Sequence, residues 1–448
     1  MSFRRALPFL LLAVPTLAVP FGCPSTQQPT DAGTDTRFEL GPDSGFCSLL
    51  GSVVYVDGGS YTVRGTVADQ PDFSWLTVPA GFCVHHYAIV SNARQLRFAP
   101  GGELFVASPD TPTTSGGRNG LAAVVVVPDD NHDGFGDQVL TYASGLRSTQ
   151  GLLFANDSFY YQDGTQIMSE PYVAGQRTDN PTHTLVADIT VYQSSNHWPK
   201  TLDISDTGQI FVGNGGDEGE TCLQPMPFHG GILQLGPGSS GGTQVAMGLR
   251  NPIDVKCHRD GNNRCFATEL DRDFSTPEGG REKLFPIHAG DNWGYPCCAS
   301  ANLPFSDVMV PCPDNPSQAC APDCSAITPD TNSFLIGNTP FGFDFVDDQF
   351  PSPWNDRVMV ALHGAYANWS GARIVAIAFD PKTGDLMPST DNTDGGVTTG
   401  DMSNFATGWD DDTRQHGRPT DVEMSPDGRL FVADDQLGEI FWIAPVNE

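Results

Sequence analysis

Five basic side chains of a strongly acidic chain stand at matching places in a recurring pattern. Arg94, Lys200 with His197 just upstream, Arg250 and Arg418 sit immediately ahead of alternating apolar segments, and Gln150 and Thr339 hold the equivalent places in two further copies. Guanidinium and ammonium groups bind carboxylates and phosphates through charge-assisted hydrogen bonds, so this set gathered at one mouth would form a pocket for an anionic molecule. Pairing of each arginine with a nearby carboxylate, such as Asp421 near Arg418, explains any single position as well, but not the whole set. Imidazole titrates close to neutral pH, which makes His197 a candidate general base; taken alone, it is equally well a surface histidine beside Trp198.

The segments that must position these residues recur as strand, turn, strand. They read "ARQLRFAPGGELFVAS" from Ala93, "TQGLLFANDSFYYQD" from Thr149, "PKTLDISDTGQIFVGN" from Pro199, "NPIDVKCHRDGNNRCFATE" from Asn251 and "PTDVEMSPDGRLFVADD" from Pro419. A more degenerate copy, "PFGFDFVDDQFPSPWNDRVMVALHG" from Pro340, makes six. Each is an alternating run, a Gly, Asp or Asn turn and a second run, the sequence form of a β-hairpin. Six hairpins at a pitch of about 50 residues predict an all-β fold, a six-bladed β-propeller, interrupted by a disulfide-rich loop insertion. A two-sheet sandwich accounts for the strands but not for their period. In a propeller the inner strand of each blade lines the central channel, so the residue ahead of it lies at the channel mouth, and the six positions above converge there.

With 54 Asp+Glu against 23 Lys+Arg and a formal charge of -31, the surface repels polyanions. Nucleic acid is excluded as a partner, and membrane contact is left only through a lipid anchor. Abundant Gly (49) and Pro (36) beside 39% hydrophobic residues suit a turn-rich β protein with a large core. At the N-terminus, "MSFRRALPFLLLAVPTLAVPFGC" places Arg4 and Arg5 before an apolar run too short and too Pro-broken to span a bilayer, the pattern of an export signal over residues 1–22. Gly22-Cys23 resembles a bacterial lipoprotein cleavage site, with Pro20 where an aliphatic residue is usual; lipidation of Cys23 and ordinary cleavage nearby both stay open. Residues 23–45 read as a flexible tether and 46–448 as the propeller domain of an exported protein, periplasmic or anchored to a bacterial outer membrane. Of 11 Cys, ten remain without Cys23, an even number suited to disulfides. Cys257 and Cys265 flank a turn and can face each other across a hairpin, while Cys297, Cys298, Cys312, Cys320 and Cys324 are expected to staple an irregular excursion near residues 296–336. Zinc fits that cluster less well, because exported thiols pair and no clean set of CxxC pairs is present.

From "VPAGFCVHHYA" through "HWPKTLDISDTGQIFVGNGG", "GLRNPIDV", "EKLFPIHAGDNWGYP" and "LHGAYANWSGARIVAIAF" to "HGRPTDVEMSPDGRLFVADDQLGEIFWI", the chain resembles the PQQ-dependent glucose/sorbosone dehydrogenase family over most of residues 75–445. "GLRNP" followed by "GDNWGYP" is the specific part; "SPDGRLFVA" is common to many propellers. The resemblance implies a six-bladed propeller carrying pyrroloquinoline quinone (PQQ), with Ca2+, over the channel mouth. It further implies a small sugar-like substrate, and it leaves the electron acceptor unknown. His197 falls where the family has its general base and Arg250 where an arginine contacts the reactive quinone carbonyl. Gln150, Asn251 and Arg418 match cofactor-binding positions. Lys200 stands where an arginine often follows the base, and His363 where the glucose dehydrogenase branch has a cofactor-binding lysine, as sorbosone dehydrogenase-like members have. The calcium segment offers Glu269, Asp271 and Glu282 but no counterpart of the family's glycine-proline ligands.

A separate signal is "DDNHDGFGD", in which Asp129, Asn131, Asp133 and Asp137 have calcium-loop spacing around the turn-forming Gly134. Thr141 near the twelfth position excludes an EF-hand, and a calcium-stabilised loop between blades and a plain acidic turn are both open. His85 and His86 alternate across a strand and read as structural. The leading expectation is an oxidoreductase using PQQ on a sugar or sugar-like alcohol or aldehyde. The alternatives are a non-catalytic propeller that binds glycan or protein, and a lactonase-type hydrolase with calcium centred on channel carboxylates.

Overall fold

The chain is a six-bladed β-propeller. The structure, a computed structural model, describes residues 45–446 apart from 58–59, 69, 110–121, 191–196, 218–219, 224–228, 237–240, 273–280, 366–367, 381, 392–397 and 414. The expected export signal, Cys23 and the expected tether up to residue 44 lie outside the described residues. Blades 1 to 3 are four-stranded antiparallel sheets whose inner strands are Leu96–Phe98, Leu152–Ala155 and Leu202–Ile204. Blade 4 starts at Asn251–His258 and takes Asn332–Leu335 as its fourth strand, after a long excursion. Blade 5 starts at Pro340–Phe345. Blade 6 starts at Pro419–Met424 and is completed by the N-terminal strand Phe82–Ile89, which pairs antiparallel with Glu439–Pro445 from Phe82↔Pro445 to Ile89↔Glu439. Each inner strand contacts the next, and the sixth returns to the first, so the ring closes.

The strands toward the centre of each blade are buried on both faces, as Leu104–Ser108, Asn251–His258 and Leu430–Asp434 show. In Leu104–Ser108, Leu104 and Val106 join the core between blades 6 and 1 with Trp442 and Phe431, while Phe105 and Ala107 join the core between blades 1 and 2 with Tyr142 and Phe159. The same alternation produces the cores between blades 2 and 3 around Leu202 and Leu233, 3 and 4 around Ile232 and Phe285, 4 and 5 around Phe266 and Val360, and 5 and 6 around Met359 and Phe441.

The inner strands are sheet edges, and their outward N–H groups need acceptors from another blade. Side chains provide them at all six junctions. Gln95 Oε1 accepts Leu152 N–H (2.7 Å), Gln162 Oε1 accepts Lys200 N–H (3.1 Å) and Asp203 accepts Cys257 N–H (2.8 Å). Asp254 accepts Phe343 N–H (3.3 Å), Asp344 accepts Met424 N–H (2.7 Å) and Asp421 accepts Leu96 N–H (2.6 Å), which closes the circuit. Asp203, Asp254, Asp344 and Asp421 also each accept the N–H of the residue that follows them. The approach is so close at Gly342 that a Cβ there would lie 1.8 Å from Asp421 Oδ1, so only glycine fits.

The expected excursion near residues 296–336 is present, as two small hairpins, and the cysteines pair within and beyond it. Cys298–Cys324 and Cys312–Cys320 staple it, Cys222–Cys297 ties it to blade 3, Cys257–Cys265 bridges the blade 4 hairpin and Cys47–Cys83 fastens the N-terminal strand. Asp421→Ala leaves two buried N–H groups without acceptors and should cost about 2–4 kcal/mol in urea unfolding, whereas Asp421→Asn, which keeps an acceptor, should cost less; equal losses would show that charge, not capping, is what Asp421 supplies.

Candidate functional site

The residues ahead of the inner strands share one end of the channel because those strands run side by side in one direction. Thr201 Oγ1, ahead of the blade 3 strand, donates to the Ile253 carbonyl (2.9 Å), and Thr420 Oγ1 in blade 6 donates to the Ala93 carbonyl ahead of blade 1 (3.0 Å). Further along, the channel is filled. Gln95 Nε2 reaches from blade 1 to Asp254 in blade 4 (2.8 Å), and Glu423 takes both Arg97 (2.8 Å) and Lys256 (2.6 Å). Burial pushes Asp344 up to about 6 and raises Asp421, while Glu423, which burial would raise, is held low by Lys256 and Arg97. The channel carboxylates are thus committed to main-chain N–H groups, Arg97 and Lys256, an arrangement unlike the calcium-centred channel of a lactonase-type hydrolase.

On one side of the mouth, Arg94 Nη2 pairs with Asp435 Oδ2 (2.8 Å) and its guanidinium lies 5.1 Å from the Phe341 ring centroid. His363 stacks on the other partner of this group, with 4.1 Å between its ring centroid and that of Phe341, and its Nε2 meets Asp435 Oδ1 (3.1 Å). Arg418 does not pair with Asp421; its Nε and Nη2 donate to the His363 and Gly364 carbonyls, and it lies over Trp369. Burial, with Arg418 adding to it, pushes His363 down to about 3, so the ring is neutral. Asp435, which burial would raise, is held below the carboxylate range by Arg94 and His363.

On the other side, Gly216 joins the two residues expected to do chemistry. Its carbonyl accepts from His197 Nδ1 (2.7 Å) and its N–H donates to the Arg250 carbonyl (2.7 Å). A carbonyl can only accept, so Nδ1 carries a proton. Gly215 admits this packing, since a Cβ there would fall 2.1 Å from His197 Cβ. Arg250 Nη1 donates to the Asp271 carbonyl (3.1 Å), and its N–H is taken by Glu269 Oε1 (2.9 Å). Arg250 also lines a cleft of about 540 Å³ with Glu220, Tyr295, Pro296, Val308 and Met309, so the disulfide-stapled excursion walls the site. Gln150 and Asn251 are buried, and their side-chain oxygens accept no hydrogen bond among the described residues.

Lys200 is placed differently from the arginines. Its Nζ folds back onto the carbonyls of His197, Trp198 and Pro199 (3.2–3.3 Å), and burial pushes it down to about 7. Its role here is to hold the His197 loop. Gln162, which carried no signal in the sequence, accepts from Gln150 N–H (3.0 Å) as well as Lys200 N–H and donates to Trp198 O (2.8 Å), linking blades 2 and 3 beside the His197 loop.

Glu269 and Asp271 face Lys283, whose Nζ lies 3.5 Å from Glu269 Oε2 and 3.3 Å from Asp271 Oδ2, all three buried. An ammonium supplies the positive charge there, and these carboxylates as placed do not fit a calcium ion. The Asp129, Asn131, Asp133 and Asp137 loop joins Ala122–Val127 to Leu140–Leu146 within blade 1, not between blades. It is knitted by its own main chain: Asp129 accepts from Asp133 N–H (3.2 Å), Asn131 from Asp133 N–H (3.0 Å), and Asp137 from Asp130 N–H (2.6 Å). His85 stacks on Trp442 (4.7 Å) and His86 pairs with Glu439 (2.8 Å), the structural roles expected of them.

The mouth of the propeller thus gathers arginines, histidines and the buried amides of Gln150 and Asn251 above a plugged channel. No family model and no curated protein matches the chain. Solved structures do. A Trichoderma reesei enzyme of carbohydrate-active enzyme family AA12 superposes with TM-score 0.64 at 18% identity, covering 85% of this chain and 99% of that one. The PQQ domain of Coprinopsis cinerea pyranose dehydrogenase, in holo form, gives 0.62 at 17% identity (82% and 97% covered). The PQQ-bound aldose sugar dehydrogenase of Streptomyces coelicolor gives 0.50 at 15% (82% and 99%). The chain therefore shares the fold of PQQ-dependent sugar dehydrogenases.

Between pH 6.5, the ordinary histidine value, and about 3, the unfolded chain takes up a proton at His363 that the folded protein refuses. Stability from this site is therefore fully present above that window and is lost as pH falls through it. His363→Asn should give a shallower fall of the urea midpoint over this range than wild type; parallel curves would show that His363 is not the group responsible.

Proposed function

We propose that the protein is a PQQ-dependent oxidoreductase that oxidises a sugar or sugar-like alcohol or aldehyde. The observation that carries this reading is His197, buried, with Nδ1 bonded to the Gly216 carbonyl, one residue's main chain away from Arg250. PQQ is an acidic tricarboxylate, and Arg94, Arg418 and Arg250, with the buried amides of Gln150 and Asn251, are the donors and acceptors that would hold it. When bound, it supplies the hydride acceptor. His197 Nε2 takes the proton of the substrate hydroxyl, and the Gly216 carbonyl stabilises the imidazolium that results. Arg250, held by the Asp271 carbonyl, offers fixed positive charge where negative charge grows, which favours the transition state over the ground state. Lys283 stands where a Ca2+ held by Glu269 and Asp271 would need to be. The same observation favours a second reading, a propeller that has lost its cofactor and binds glycan or protein.

We propose also that the protein is exported. Ten cysteines in five disulfides suit an oxidising compartment, and Cys23, the eleventh, is the proposed lipid-anchor site. Mass spectrometry of the native N-terminus should find the mature chain starting at a lipidated Cys23; a start elsewhere removes the anchor.

Purified protein mixed with PQQ should reduce an artificial dye when offered a panel of aldoses. His197→Ala should still bind PQQ while turnover falls by about 100-fold or more, because only the proton acceptor is lost. Arg250→Ala should weaken binding and turnover together. Full activity in His197→Ala rejects the base assignment, and a wild type that binds no PQQ favours the binding-module reading.

A further inference from the structure

Blade 2 carries a second group of titratable side chains that the proposed reaction does not use. Glu170 lies near the end of strand Gln166–Pro171, Asp179 in the loop that follows, and His183 just ahead of the outer strand Thr184–Asp188. Each offers one ligand atom, and the three atoms lie within 4.8 Å of one another, the one such set of three or more His, Cys, Asp or Glu side chains among the described residues. Two carboxylates this close repel unless a cation stands with them or one of them keeps its proton.

Glu170 shows what the group is built around. The residue is 1% exposed, and its Oε1 accepts from Tyr142 OH and from Asn180 N–H (3.3 Å). Its Oε2 is buried, accepts no hydrogen bond among the described residues, and faces His183 Nδ1 at 3.4 Å. A buried carboxylate oxygen left in this way is costly. The His183 ring is set by Tyr161 OH at Nδ1 (2.9 Å), and its Nε2 faces Asp179 at 3.6 Å. Gln176, from the same loop, donates to Tyr142 OH (3.0 Å), so the carboxylate is oriented by a ring of outer partners of the kind that surrounds metal ligands. The side chains of Asp179 and His183 are 40% and 33% exposed, which gives an ion a path in.

We propose that Glu170, Asp179 and His183 bind a divalent transition-metal ion of the Zn2+ class, which fastens the loop over residues 172–183 to blade 2. One imidazole and two carboxylates suit Zn2+ with water completing the shell. They suit neither Cu(I), which prefers sulfur, nor Ca2+, which takes six to eight oxygens. The site is separate from the channel mouth and does not depend on the function proposed there.

The test uses the purified full chain, dialysed against chelator and titrated with ZnCl2 by calorimetry, with metal counted after gel filtration. Wild type should take up one Zn2+ at this site and gain thermal stability as it does so. His183→Ala and Asp179→Asn should each weaken that binding by about 10-fold or more and lose the stabilisation, with dye reduction unchanged. His288→Ala, at a histidine whose side chain is 68% exposed and far along the chain, should bind as wild type does. Asp179 is exposed, so Asp179→Asn keeps the fold and decides the matter even if His183→Ala does not express. Absence of stoichiometric zinc in wild type, or equal affinity in Asp179→Asn and wild type, overturns the proposal; displacement of Zn2+ by equimolar CaCl2 overturns the assigned metal class.

Discussion

Six sheets that meet edge-on around a channel leave six rows of main-chain N–H groups facing one another with no ladder between them. The molecule resolves this with side-chain oxygens from Gln95, Gln162, Asp203, Asp254, Asp344 and Asp421, one at each junction. Much else follows from that choice. Four carboxylates and Glu423 packed into a narrow, dry channel repel, and Arg97 and Lys256 are buried there to balance them. The closeness of the inner strands, visible at Gly342, is the geometric side of the same constraint.

The plugged channel sets the character of the site above it. A ligand can meet the protein at the mouth but cannot pass through, since Gln95 bridges to Asp254 just below. Main-chain carbonyls hold Arg418 and Arg250 at the rim and so fix where their guanidinium groups lie. Arg94 is paired with Asp435, and that pair together with Phe341 fixes the neutral ring of His363. Because Gly216 bonds both His197 and Arg250, the spacing of the two residues is set by backbone, which holds position better than two long side chains would.

The excursion out of blade 4 gives the site a wall that the blades cannot. It contributes Tyr295, Pro296, Val308 and Met309 to the Arg250 cleft, and Arg272 grips it through Asp307 (2.8 and 2.7 Å). Cys222–Cys297 joins that wall to the chain beyond Asn214 in blade 3, so the two sides of the cleft are covalently linked.

The sequence by itself determined the blades, because a hairpin's alternation and turn residues are local and recur in every copy. It also placed Arg94, Gln150, His197, Arg250 and Arg418 ahead of inner strands, since position relative to a strand is a one-dimensional property, and it paired Cys257 with Cys265 across eight residues. Only the tertiary structure decided what those side chains meet. Nothing local marks Phe82–Ile89 as the strand that completes blade 6, because its partner lies at the other end of the chain. Nothing local says that Lys200 turns back onto its own loop, that Lys283 stands between Glu269 and Asp271, or that Asp435 joins Arg94 to His363. A side chain's partner is chosen by distance in space, and where the ring closes the nearest groups come from opposite ends of the chain, as Leu96 and Asp421 do, which a reading along the chain cannot bring together.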